Sequence, residues 1–361
     1  MNLPTSTLLT CLFALFCFSP ARSETVVYVS EGGDKRIAIF SLNEAEETLT
    51  RIGEVELNGG PGCLALGKNR KFLHAAVRTT GEFATLEISP KSGKLKVAST
   101  APASGSAAYV YPDRTGQWLL AAYYREGLVS VSKITNGAVK DEPLWVLDIG
   151  PKAHCIQTDP ANRFAFCPHP MDLNCVDLFR FDASSGKLTL NTPPIFEAPE
   201  NQGPRHIQFH PNGKWAYLVN EQGKSVTFCH YDSDKGTLKA QQTLSTHPPD
   251  WNPSWGSCAD IEITSDGRFL YASNRGHESI AGFSLDEETG NMTSLGQTPT
   301  EKIPRSFNLM PGEKYLVAAG QGESRLALYR RNPDNGELTH LQTIPCGKSP
   351  AWVLGYQLDD N

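Results

Sequence analysis

Residues 203–221 read GPRHIQFHPNGKWAYLVNE, two short apolar stretches, Ile207–His210 and Trp215–Asn220, on either side of Pro211-Asn212-Gly213. Asn-Gly between alternating runs signals a hairpin, because both central turn positions need φ > 0 and these two residues adopt it at little cost. An antiparallel hairpin sets the start of its first strand beside the end of its second. Arg205 and Glu221 are therefore expected on one edge of one sheet.

The second strand of this hairpin recurs along the chain. VVYVSEG, KFLHAAVR, QWLLAAYY, RFAFCPHP, KWAYLVNE, RFLYASNR and KYLVAAGQ align on Tyr28, His74, Leu120, Phe166, Tyr217, Tyr271 and Val317, at spacings of 46, 46, 46, 51, 54 and 46 residues. Several short strands repeated at about this interval mark a propeller blade. Each unit has a first strand (HCIQTDP, RHIQFHP, ADIEITS), a turn, the aligned strand and a third strand such as Ser225–Tyr231. A polar turn ending in glycine then leads to a fourth. The first unit opens at Val26 on what is a second strand elsewhere, so it lacks a first one. The apolar run Ala351–Tyr356 is expected to supply it, closing the ring and removing exposed edges. The expected fold is all-β: a seven-bladed β-propeller with four antiparallel strands per blade, blade one closed by the C-terminal strand, in a single domain over residues 24–361. The two long spacings are read as loop insertions, Leu190–Gln202 and the Pro- and Trp-rich stretch His247–Ser257.

Composition narrows the function. A chain of 361 residues that is 39% hydrophobic has material for a large core. A net charge of −6 gives no electrostatic attraction to nucleic acid or to an anionic membrane surface. Residues 1–23 read as an export signal. The apolar run Leu8–Phe18 is too short to span a bilayer, and Ala21-Arg22-Ser23 forms a small-residue cleavage motif before Glu24. The expected setting of the mature protein is a periplasm or the outside of the cell, with no membrane segment after cleavage. The alternatives are an uncleaved anchor, or a cytoplasmic protein if this segment is not a signal. Cys11 and Cys17 would leave with the signal. The remaining seven cysteines are too scattered for a disulfide scaffold or a zinc template and are expected as buried small hydrophobes, with Cys167 and Cys175 open as a pair on adjacent strands. No Gly-x-Ser-x-Gly, Cys-x-x-Cys or glycine-rich phosphate loop occurs.

In a propeller the innermost strands begin, and the second strands end, on one face. The inner starts are Gly62, Ala108, His154, Arg205, Ala259 and Arg305, and the second-strand ends are Arg78, Tyr124, Pro170, Glu221, Arg275 and Gln321. His154, Arg205, Glu221, Arg275 and Arg305 are thus expected around one mouth, with Asp260, Asn220, Asn274 and His277 as neighbours. Three guanidiniums can hold a carboxylate or phosphate and stabilise a developing oxyanion. His154 is suited to proton transfer near neutral pH, and Glu221, ionised beside arginines, to orienting one of them or taking a proton, so either could activate water. The plainer reading is a structural Arg205–Glu221 ion pair. His206 and His210 are read as strand-flanking and turn-supporting, and Trp251 and Trp255 as pocket wall or as cover for a blade edge. No metal or cofactor is expected, since Asp260 and Glu221 are too few for a calcium site.

The segments AHCIQTDPANRFAF, GPRHIQFHPNGKWAYLVNE, IEITSDGRFLYASNRGHESIAGF and PRSFNLMPGEKYLV resemble the seven-bladed lactonase family, which includes propeller-type 6-phosphogluconolactonase and fungal carboxymuconate cyclase. The similarity runs from about Val26 to Tyr356. It implies an enzyme that opens a sugar-acid lactone, with the family's histidine on His154, its arginines on Arg205 and Arg275 and its glutamate on Glu221. Arg305, Asp260, Asn220, Asn274 and His277 complete the expected substrate surround. Asp260 stands where the family commonly has Glu, and Gly320 where Asn is frequent. The substrate class is a small anionic lactone or sugar acid; export points to an unphosphorylated or different lactone. Two alternatives stay open: a carboxymuconate-type lactonising cycloisomerase, and a non-catalytic exported propeller that binds a peptide or glycan.

Overall fold

The column aligned in the sequence is a ring in space. Tyr28, His74, Leu120, Phe166, Tyr217, Tyr271 and Val317 stand opposite Leu354, Ala65, Tyr111, Gln157, Gln208, Glu262 and Asn308 in their hairpins. Those seven partners occupy one level of seven inner strands. The computed structural model describes residues 24–251 and 255–359; the expected export signal lies outside them. Pro350–Gln357 pairs with Thr25–Glu31 and heads a sheet that continues through Arg36–Asn43 and Thr48–Glu56. Ring closure by the C-terminal strand is therefore as the sequence indicates. The inner strands of blades two to seven are Pro61–Leu66, Tyr109–Pro112, Gln157–Thr158, Pro204–Phe209, Ser257–Ile263 and Pro304–Leu309. Blade three departs slightly, its outer edge being split between Ala138–Val139 and Trp145–Asp148.

One expected insertion is not a loop. Lys187–Glu197 forms an eleven-residue outer strand of blade four, so Leu190–Glu197 lengthens the edge. Pro193 and Pro194 lie within this strand. An outermost strand has no further neighbour to receive its N–H groups, so proline is tolerated there.

Second strands such as Trp118–Tyr123 and Trp215–Asn220 are buried throughout, while the outer strand Thr237–Ser245 alternates with solvent. This places the core between neighbouring blades. The hydroxyls of Tyr28, Tyr217 and Tyr271 tie each blade to the next, donating to the carbonyls of Gly93, Gly290 and Gly336 at 2.8, 2.7 and 2.7 Å. Gly290 has φ 76°, and a Cβ there would lie 2.6 Å from Phe228 and 2.7 Å from Trp215. Only glycine meets both the positive φ and the close approach. Cys167 stands opposite Asp177 and Cys175 opposite His169, so these two do not face each other, and all seven described cysteines are free.

Candidate active site

The mouth residues are aimed by a recurring irregularity. Register slips between Pro204 and His206 in blade five, between Pro304 and Ser306 in blade seven, and between Cys258 and Ile261 in blade six. A bulge leaves a residue out of the ladder and re-aims its side chain. Arg205 and Arg305 occupy such positions. The same slip lets the consecutive residues Arg205 and His206 serve one site, which strict strand alternation would forbid.

A chain of polar contacts runs through blades five and six. Asp260 Oδ1 lies 2.9 Å from His206 Nδ1, and His206 Nε2 lies 3.1 Å from Arg205 Nη1. Arginine has no acceptor, so Nε2 must accept and Nδ1 carries the hydrogen given to Asp260. Arg205 Nη1 also donates to the carbonyl of Ala259. Arg205 Nε is 3.4 Å from Glu221 Oε2, an ion pair without hydrogen-bond alignment, since both atoms are buried and lack a bonded partner. Glu221 Oε1 accepts from Arg275 Nη2 at 2.8 Å, and that nitrogen also donates to the carbonyl of Cys258 at 2.7 Å.

His154 is the exception in this network. Its Nδ1 is buried and unpartnered. Its ring is held by packing, 5.1 Å from His206 and edge-on to Tyr124 at 5.6 Å. Burial, then the charge of Arg205 and its neighbours, pushes the His154 imidazole well below the usual histidine range, so it is neutral. His206 is lowered to about 4 by burial and Arg205, against the pull of Asp260. Burial opposes ionisation of Glu221, but Arg205 and Arg275 outweigh it and hold the carboxyl below its usual value. Arg205 falls to about 9 through burial and the like charge of Arg275. Behind these groups the rings of Tyr109, His206 and Trp352 meet at 5.3, 5.5 and 6.1 Å across the tunnel. A separate cavity of about 440 Å³, lined by Tyr111, Glu262, Asn308 and Leu354 among others, lies on the other side.

The remaining expected residues divide. Arg305 is half-buried at the mouth. Asp260 is taken up by His206. His277 bonds Ser279 through Nδ1 at 2.7 Å and packs edge-on against Trp251, which itself stacks on His247 at 4.2 Å. Trp255 is 62% exposed. Asn220 and Asn274 are fully buried and turned into their blades. Asn220 Nδ2 donates to Ser225 and Thr227, each at 2.8 Å. Asn274 Nδ2 donates to the Thr246 carbonyl at 2.9 Å and to Ser279 at 3.1 Å. Each precedes a mouth residue by one position, and alternation faces it the other way. Two residues gained importance over the sequence reading: His206, whose role depends on the bulge, and Arg78, present in the column of strand ends but given no task there.

The family model described as "Lactonase, 7-bladed beta-propeller" matches residues 23–355. The 6-phosphogluconolactonase of Pectobacterium carotovorum is 32% identical over 337 residues, covering 93% of this chain and all of the relative. The Yersinia pestis protein of the same name is 33% identical over 328 residues, 91% of this chain and 96% of the relative. Among solved structures, a putative 6-phosphogluconolactonase from Bacteroides fragilis superposes with a TM-score of 0.84 at 25% identity, covering 94% of this chain and 99% of that one. The periplasmic gluconolactonase of Pseudomonas aeruginosa gives 0.84 at 22% identity, 93% of this chain and 100% of that one, a likeness of fold. With its length matched almost throughout and its blades in the same arrangement, the chain belongs to the seven-bladed β-propeller lactonase family.

Proposed function

We propose that this chain hydrolyses the ring ester of a sugar-acid lactone at the arginine-rich mouth. The observation that carries the reading is a neutral, unpartnered imidazole, His154, held beside a cluster of guanidiniums. Near-complete alignment with relatives named 6-phosphogluconolactonase supports it.

Water attacks the lactone carbonyl as its proton passes to His154. The carbonyl oxygen becomes an oxyanion, stabilised by Arg275, whose side chain is 16% exposed, with Arg205 adding positive charge from behind. The ring C–O bond then breaks, and the imidazolium returns the proton to the departing ring oxygen. The product is the open hydroxy acid. Glu221 remains ionised throughout and fixes the orientation of Arg275. Burial and the field of the arginines make His154 a weak base. An anionic substrate offsets that field and raises the proton affinity of His154 as it binds. The apolar run Leu8–Phe18 and the following cleavage motif support an exported setting. Among the described residues no helix is long and apolar enough to cross a membrane.

The test is acid release from glucono-δ-lactone and its 6-phosphate, followed by pH-stat above the spontaneous rate. His154→Ala is expected to lower kcat by roughly 10²- to 10⁴-fold, the usual contribution of a positioned proton-transfer group. Wild-type rates in that variant would end the reading.

A further inference from the structure

The mouth holds more positive charge than its own acids balance. Of Arg78, Arg205, Arg275 and Arg305, only Arg205 and Arg275 are ion-paired, and both to the one carboxylate of Glu221. Asp260 is engaged by His206. Arg305 lies in the bulge of blade seven, and Arg78 directly follows the second strand of blade two, Phe72–Val77. The two flank the inner strand of blade one. Gly62 makes room for Arg78: a Cβ there would lie 2.5 Å from its Cδ and 3.0 Å from its Cγ, so the arginine stem crosses the inner-strand start of its own blade. Arg78 Nε is buried without an acceptor. Among the described residues neither guanidinium forms a side-chain hydrogen bond or ion pair. Burial and the charges of Arg275 and Arg78 push Arg305 down to about 10, and burial with Arg125 lowers Arg78, Glu126 offsetting part of it. Half-buried guanidiniums without an acceptor are costly, and a bound oxyanion is their natural complement.

We propose that Arg78 and Arg305 form a separate anion subsite that holds the phosphoryl group of the substrate while Arg275 attends to the lactone carbonyl. This rests on the lactonase reading and deepens it. A phosphate dianion matches the two unengaged cations in charge. A lactone without it leaves both half-buried and unpaired. The subsite therefore selects a phosphorylated lactone, against the unphosphorylated one that export alone would suggest.

Two measurements test this on the mature protein and on Arg78→Gln, Arg305→Gln and Arg305→Lys. Calorimetric titration with inorganic phosphate is expected to show binding that each Gln variant weakens by about tenfold or more, the scale of a charged hydrogen bond, and that Arg305→Lys partly restores. The ratio of kcat/KM for 6-phosphogluconolactone to that for glucono-δ-lactone is expected to fall roughly 10- to 100-fold in the Gln variants, mainly through KM. Equal losses on both substrates, or phosphate binding indifferent to both arginines, would overturn the subsite. If phosphate binds through these arginines while neither lactone turns over, the subsite stands and the lactonase reading fails.

Discussion

Two carboxylates, each between two arginines, sit on different blades and are satisfied differently. In blade one, Glu31 accepts from Arg36 Nε at 2.6 Å, from Arg51 Nη1 at 2.9 Å and Nη2 at 3.0 Å, and from the Gly347 N–H at 2.6 Å. Its side chain is wholly buried, and Gly347 belongs to the segment leading into the closing strand. In blade five, Glu221 has one bonded oxygen and one without a partner, and its side chain is 18% exposed. Glu31 is complete without a ligand; Glu221 and its arginines are not. Residue type does not separate a structural knot from a proposed site. Saturation of the hydrogen bonds and the balance of charge do.

The sharpest test of this contrast removes one partner on each side. Arg275→Met is expected to lower kcat/KM by roughly 10²- to 10³-fold, as loss of an oxyanion donor does. Its urea midpoint should shift little, because one of four mutually repelling cations has gone. Glu31→Gln is expected to cost about 3 kcal/mol of unfolding free energy, the low end for breaking a buried pair. Its kcat/KM per folded molecule should stay within a factor of two or so, the knot lying outside the reacting groups. A stable Glu31→Gln protein would show that ring closure does not depend on the knot. An active Arg275→Met protein would reduce the blade-five set to a knot of the same kind.

The ring was legible because a blade is a repeat, and a repeat shows in spacing even where single strands are ambiguous. Tyr217 and Tyr271 aligned by sequence prove equivalent in register, opposite Gln208 and Glu262. Topology then gathered His154, Arg205, Glu221, Arg275 and Arg305 without reference to chemistry. The side-chain directions of Asn220 and His206 were not legible. Placing Asn220 beside Glu221 ignored the two-residue period of the strand. Treating His206 as strand-flanking missed a bulge, which depends on how one strand slips against another and leaves no residue signature in GPRH.

Acid denaturation sharpens the contrast by a smaller amount. His206 in the folded mouth is lowered to about 4 and His154 lies well below its usual range, while both titrate near 6.5 when unfolded. Below about pH 6.5 the unfolded chain takes up protons that the folded chain refuses, so stability falls as pH drops toward 4 and is level above about 6.5. One imidazole shifted this far accounts for about 2 kcal/mol by pH 4.5. His206→Gln is expected to flatten that slope in urea titrations at pH 7, 5.5 and 4.5. An unchanged slope would mean that the mouth histidines are already charged in the folded protein.

The finest test compares neighbours on one strand. Asn274 and Arg275 are consecutive, yet the first is sealed in its blade and the second opens on the mouth. Asn274→Ala removes donors to the Thr246 carbonyl and to Ser279, and the acceptor used by the Cys258 thiol. Leaving the carbonyl buried without a donor costs about 1–2 kcal/mol. The expected result is a lower urea midpoint with kcat/KM nearly unchanged, the mirror image of Arg275→Met. A selective loss of kcat/KM at full stability would instead put Asn274 in contact with substrate. The strand end would then be open on both faces, and the alternation that separates structural from mouth residues would fail at blade six.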